Sequence, residues 1–161
     1  MLAGKGAAAQ GSAQGSAQGS PPEAATGRLR VLAIAARDES DQLALAMLVA
    51  ALDERALELH VSPSATLVSD VLARVAELAP AIVCIAALPP GGGAQAKLLC
   101  LRLRARFPDV RIIVGRWGWE GDAEQVRAQL RQAGASEVDT SLAETCRQLV
   151  SLSSHGIAQA A

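Results

Sequence analysis

Polarity along the chain changes character at Arg28. From there, short apolar runs alternate with segments whose apolar residues recur every three or four positions. RLRVLAIAA (28–36), LELHV (57–61), AIVCIAAL (81–88), VRIIVG (110–115) and ASEVD (135–139) have the length and bounding residues of strands. Between and after them, DESDQLALAMLVAALDERA (38–56), TLVSDVLARVAELA (66–79), AQAKLLCLRLRARF (94–107), DAEQVRAQLRQAG (122–134) and SLAETCRQLVSL (141–152) carry helical spacing. On the first helix, Leu43, Met47, Leu48, Ala51 and Leu52 share a face; on the second, Leu67, Val71, Leu72, Val75 and Leu78 do. AIVCIAAL is uninterrupted, as in a strand covered on both faces, whereas LELHV alternates and predicts a place at or near a sheet edge. Gly134 is placed to end the fourth helix, and Ser141 with Glu144 three residues later to start the fifth.

Strictly alternating strands and helices predict a parallel sheet with right-handed crossovers and helices on both faces. Five of each within about 125 residues predicts an α/β, three-layer flavodoxin-like sandwich with strand order 2-1-3-4-5. In such a sheet, ligands bind at the carboxyl ends of strands one and three, where the order reverses. Three loops then face the candidate site: Arg37–Ser40, Leu88–Gly93 and Arg116–Gly121.

Residues 1–27 are different. AQGS repeats in tandem at 9–12, 13–16 and 17–20, and PPEAATG follows. Without large apolar residues this stretch cannot offset its ordering entropy, so a flexible tether is expected over 1–27, the domain over 28–152, and a flexible tail over 153–161. The domain's apolar runs fall far short of the roughly 20 residues of a membrane helix, and no signal peptide is evident, so a cytoplasmic chain is expected. Aromatic residues make up only 2% of the chain, so the core must be built from Ala, Val, Leu and Ile. A net charge of −1 leaves no electrostatic footprint for nucleic acid. Cys84, Cys100 and Cys146 lack the spacing of a zinc or redox motif and are expected to act as small apolar residues.

The three loops offer little chemistry. Asp38 and Asp41 stand where carboxylates cap a helix, each contributing about 0.5–1 kcal/mol. PPGGG (89–93) lacks the spacing and the Ser/Thr of a phosphate-binding loop. Trp117 and Trp119, the only tryptophans, either pack, one on a helix and the other over a sheet edge, or mark a contact site beside Arg116, with Trp117 the candidate. Lys97, Arg102, Arg104 and Arg106 make the outer surface of the third helix basic. His60 and His155 are too isolated to serve a catalytic arrangement, and no nucleophile, base or metal cluster emerges.

Three family resemblances follow from these segments. The layout from Arg30 to Leu152, with MLVAALDERALELHV (47–61), resembles cobalamin-binding domains of the methionine synthase and mutase type. Their D-x-H-x-x-G, S-x-L and G-G motifs fall on Asp38-x-Ser40-x-x-Leu43, Ala86-Ala87-Leu88 and Gly115-Arg116. Ser40 replaces the imidazole that would ligate cobalt, and Arg116 fills space the nucleotide tail needs, so no cobalamin is expected. RDESDQLALAMLVAALDER (37–55) and the stretch from Ile82 to Gly118 are similar to the soluble C-terminal domain of bacterial autoinducer-2 exporter (AI-2E) family membrane proteins. That resemblance implies a transporter partner at the inner membrane, either docked in trans or joined through a segment upstream of the tether. LPPGGG, LRARFPDVRIIV and AGASEVDTS also resemble the third to fifth strands of response-regulator receivers. Ile85 and Ala86, however, stand where the phosphoacceptor aspartate should lie.

The expectation is a non-catalytic regulatory or interaction domain, without metal or cofactor, that partners a membrane transporter or another protein. A small-ligand or cobalamin-like sensor and a degenerate receiver are the alternatives. The expected working rim is Asp38, Ser40, Leu88, Pro89, Gly115, Arg116 and Trp117.

Overall fold

The computed structural model describes residues 27–63 and 66–159. The expected tether lies outside them except for Gly27. Strands β1 (Leu29–Ala35), β2 (Leu57–Val61), β3 (Ile82–Ala86), β4 (Arg111–Gly115) and β5 (Glu137–Asp139) alternate with α1 (Glu39–Ala51), α2 (Val68–Leu78), α3 (Gly93–Arg106), α4 (Ala123–Gln132) and α5 (Leu142–Gln159). All strand pairs are parallel and the sheet order is β2-β1-β3-β4-β5, the flavodoxin-like order expected. β2 is an edge strand, as its alternation predicts. Helix α5 continues through Gln159, into the stretch expected as a tail.

Strand alternation divides the core in two. Leu32, Ile34, Val83, Ile85, Ile112 and Val114 point to the layer holding α2, α3 and α4. Val31, Ala33, Ile82, Cys84, Ala86 and Ile113 point to the layer holding α1 and α5. All five residues of β3 are buried, because helices cover both faces of a central parallel strand. Cys84 and Cys100 are packed inside, and burial pushes both thiols up to about 12, which keeps them protonated and inert.

Helix α1 is rotated from the expected face. Asp41, Ala44, Leu45, Leu48 and Leu52 are buried, whereas Leu43 and Met47 are 66% and 58% exposed. Apolar spacing alone cannot see the reason, which is that a polar residue, Asp41, is needed inside. Arg104 is the second departure. It was expected on the basic outer surface of α3, but its guanidinium turns inward. It donates to the carbonyl oxygens of Gly134 (2.8 and 3.1 Å), Pro108 (2.5 Å) and Val110 (3.0 Å) and to the Ser136 hydroxyl (3.2 Å). Lys97, Arg102 and Arg106 do remain exposed. Gly134 caps α4 as expected, at φ 112°, with the Ala135 amide reaching back to the Leu130 carbonyl.

Arg104 joins three chain segments with hydrogen bonds that no apolar residue can supply. Arg104→Met is therefore expected to lower unfolding free energy by about 2–3 kcal/mol in urea denaturation, with unchanged far-UV circular dichroism.

Candidate functional site

The carboxyl ends of β1, β3 and β4 bring the three expected loops together. In the β1–α1 turn, Asp38 is the N-cap of α1. Its Oδ1 accepts from the Ser40 amide (3.0 Å) and the Asp41 amide (3.4 Å), and its Oδ2 accepts from Arg37 Nε (2.6 Å). Desolvation pushes this carboxyl up, but the Arg37 hydrogen bond and charge and the two amides hold it below the usual range. Asp38 is therefore an ionised cap, and Ser40 is exposed beside it.

Asp41, not Asp38, reaches across the site. It is 1% exposed, and both of its oxygens hold main-chain amides: Oδ2 that of Arg37 at 3.0 Å, Oδ1 that of Leu88 at 2.7 Å. This carboxylate ties the end of β1 to the end of β3 at the point where strand order reverses. A helical residue with its side chain directed inward gave the sequence no distinguishing signal beyond the acidic cluster itself.

The β3–α3 loop supplies Ala86, Ala87, Leu88 and Pro89. Ala86 and Ala87 are fully buried, and Leu88 and Pro89 are half-buried. No carboxylate stands at the end of this strand. Gly92 takes a left-handed φ of 74° directly against Ala87, so a side chain there would be both strained and crowded.

The β4–α4 loop fills the remaining space. Arg116 is 3% exposed; its Nη1 donates to the Ala87 carbonyl (2.6 Å) and the Gly91 carbonyl (2.5 Å), and its guanidinium lies 4.8 Å from the Trp119 ring centre. Burial pulls its pKa below the usual guanidinium range, the Asp41 charge offsets part of this, and the Arg37 charge adds to it. Arg116 thus acts as a plug between β3 and β4, not as a free anion grip.

Trp117, expected as an exposed contact, is 6% exposed and belongs to the α1–α5 core. The chain turns back after Gly115, whose missing side chain leaves room for the Trp117 ring. Trp117 Nε1 donates to Thr145 Oγ1 (2.9 Å), which donates to Asp139 Oδ2 (2.7 Å); Gln148 Nε2 donates to Asp139 Oδ1 (3.0 Å). This buried network ties β4, β5 and α5 together. Burial pushes the Asp139 carboxyl up; Glu144 and Glu137 add to the rise, while the Thr145 hydrogen bond and Arg127 oppose it. Trp119 is the half-exposed tryptophan of the pair.

Six of the expected rim residues, Asp38, Ser40, Leu88, Pro89, Gly115 and Arg116, do lie at this edge, but most are engaged in holding it shut. Among the described residues, no group of three or more His, Cys, Asp or Glu is placed to hold a metal ion. Four surface cavities of ≈ 320–510 Å³ lie away from the switch point. None of the described helices is long and apolar enough to cross a membrane.

No protein-family model and no curated protein matches the chain. Solved structures do match. The methanol:cobalamin methyltransferase complex MtaBC from Methanosarcina barkeri superposes with a TM-score of 0.63 at 15% identity, over 85% of this chain and 50% of that one. A cobalamin-binding protein from Desulfitobacterium hafniense DCB-2 gives 0.58 at 17%, over 76% and 60%. The signal receiver domain of an HD domain-containing protein from Pseudomonas fluorescens Pf-5 gives 0.54 at 19%, over 83% and 95%. The chain therefore shares the flavodoxin-like fold of cobalamin-binding and receiver domains, spanning about half of the former and nearly all of the latter. The exporter resemblance finds no support in these matches.

Two outcomes follow from the buried network. Trp117→Ala is expected to cost about 3–5 kcal/mol in chemical denaturation, and loss of the exposed Asp38 cap in Asp38→Ala much less. For Asp139, a carboxyl raised in the folded state binds more protons folded than unfolded, so its contribution to stability falls as pH rises from about 4 through the raised value. Asp139→Asn should remove that fall, and a pH series of urea midpoints for both proteins measures it.

Proposed function

We propose that this domain is a non-catalytic interaction module, and that it works by presenting surface to a protein partner, not by transforming a ligand at the switch point. One observation carries this reading. At the edge where this fold offers its site, Asp41 and Arg116 are buried and bonded to the main chain of the β3–α3 loop. The groups needed for either neighbouring chemistry are also missing. Ser40 stands exposed where the cobalamin resemblance needs an imidazole, and Arg116, where that resemblance needs a second glycine, is a buried side chain. Cobalamin therefore does not fit these residues. Ile85 and Ala86, both fully buried, stand where the receiver resemblance needs a phosphoacceptor.

The partner class rests on the exporter resemblance of residues 37–55 and 82–118 alone, which names a bacterial membrane transporter. The receiver-like proportions of the chain fit the same reading of a domain acting by protein contact.

Incubation with acetyl phosphate and Mg²⁺, followed by intact-mass spectrometry, should show no phosphoryl adduct. Mixing with cobalamins should leave their visible spectrum and the protein's melting temperature unchanged. An aspartyl phosphate or a bound corrinoid would contradict the proposal.

A further inference from the structure

The two edges of the sheet differ. β5 is three residues long and carries Glu137 and Asp139, so it is short and acidic, as edges protected from pairing are. β2 is five residues long, and among the described residues nothing pairs with its outer side. The Ser62 amide donates to the Ala33 carbonyl at 2.8 Å, which sets the phase of the ladder. Main-chain groups alternate in direction along a strand, so the amides and carbonyls of Leu57, Leu59 and Val61 point away from β1.

The side chains of those same residues face the α1 layer. There, α1 does not fully cover β2. Two adjoining cavities, ≈ 510 and ≈ 320 Å³, share Val49, Leu52 and Glu54 and form one trough between α1 and the edge strand. Its apolar lining includes Ala46, Val49, Ala50, Leu52, Leu59 and Val61, and Val61 is 38% exposed. Gln42 Oε1, at one end, is buried without a hydrogen-bond partner.

We infer that β2 pairs antiparallel with β2 of a second copy of this chain, about a twofold axis at Leu59, extending the sheet across both copies. The sequence of the strand selects that occupant and that register. Centred on Leu59, LELHV meets itself with Leu57 opposite Val61 and Glu58 opposite His60. A register centred on Glu58 would oppose two carboxylates, and one centred on His60 two imidazoles; both leave part of the strand unpaired. The Leu59 register uses the whole strand, aligns every outward amide with an outward carbonyl, and sets acid against base across the axis. Within one chain Glu58 already accepts from His60 at 2.9 Å and pairs with Arg30 at 3.4 Å, so the dimer would gather a balanced cluster on that face. On the other face a twofold normal to the sheet sets the two troughs side by side and covers Val61. This inference does not depend on what the carboxyl edge of the sheet contacts.

Light scattering on the purified full chain, over micromolar to millimolar concentration, tests it. Wild type should reach twice the chain mass. Val61→Lys, at an exposed position, should remain at single mass with an unchanged far-UV circular dichroism spectrum. His60→Glu, which turns both cross-axis pairs repulsive, should raise the dimer dissociation constant about tenfold or more. In a Cys146→Ser background, Leu59→Cys should form a disulfide-linked dimer on oxidation faster than Asp109→Cys, since hydrogen-bonded antiparallel partners sit with Cα atoms about 5.5 Å apart. A wild-type chain of single mass throughout, a dimer indifferent to Val61→Lys and His60→Glu, or equal oxidation of the two cysteine variants would overturn it.

Discussion

The carboxylate of Asp41 holds the carboxyl edge of this sheet together. A buried charge is costly unless its oxygens are matched, and here each oxygen has an amide: Arg37 at the end of β1, Leu88 at the end of β3. Those two strands flank the position where strand order reverses, which in this fold is where the sheet leaves a crevice. Closing it with a side chain from the first turn of α1 fixes the rotation of that helix. With Asp41 inward, Leu45, Leu48 and Leu52 must follow it into the core, and Leu43 and Met47 must face solvent.

The rest of the edge continues the same pattern. Arg116 bridges the carbonyls of Ala87 and Gly91, so β4 is tied to the loop that Asp41 ties to β1. One strand further on, Trp117, Thr145, Asp139 and Gln148 link β4 and β5 to α5. Most of these polar groups are thereby bonded within the domain, although Arg116 Nε and Gln148 Oε1 are buried without a partner. The proposed function by surface contact rests on this arrangement, and the β2 edge, unpartnered among the described residues, is the surface proposed above.

The sequence showed the architecture well because the fold depends on periodicity. The unbroken AIVCIAAL is typical of a strand covered on both faces, and the alternating LELHV points to a place at or near an edge. The site was harder to read. Periodicity ranks residues by apolarity, so it placed Leu43 and Met47 inside and had no means to choose Asp41, whose burial depends on amides 4 and 47 residues away in the chain. Trp117 was misplaced for a related reason. Its position depends on the absent side chain of Gly115 and on a hydroxyl of α5, neither of which is local. Arg104 likewise looks like one more surface cation until the α4–β5 turn is brought beside it. The departures from both resembled motifs were legible, because they are residue identities at single positions: Ser40, Ala86 and Arg116.

Whether the edge is structurally closed can be measured at single amides. Native-state hydrogen exchange of the Arg37 and Leu88 amides, followed by NMR, reports whether Asp41 holds them. If the edge is closed, both exchange only through large-scale opening, with protection close to that of the β3 amides, and both lose it in Asp41→Ala. Exchange at unprotected loop rates in the wild-type protein would mean an open, ligand-accessible edge and would contradict the account.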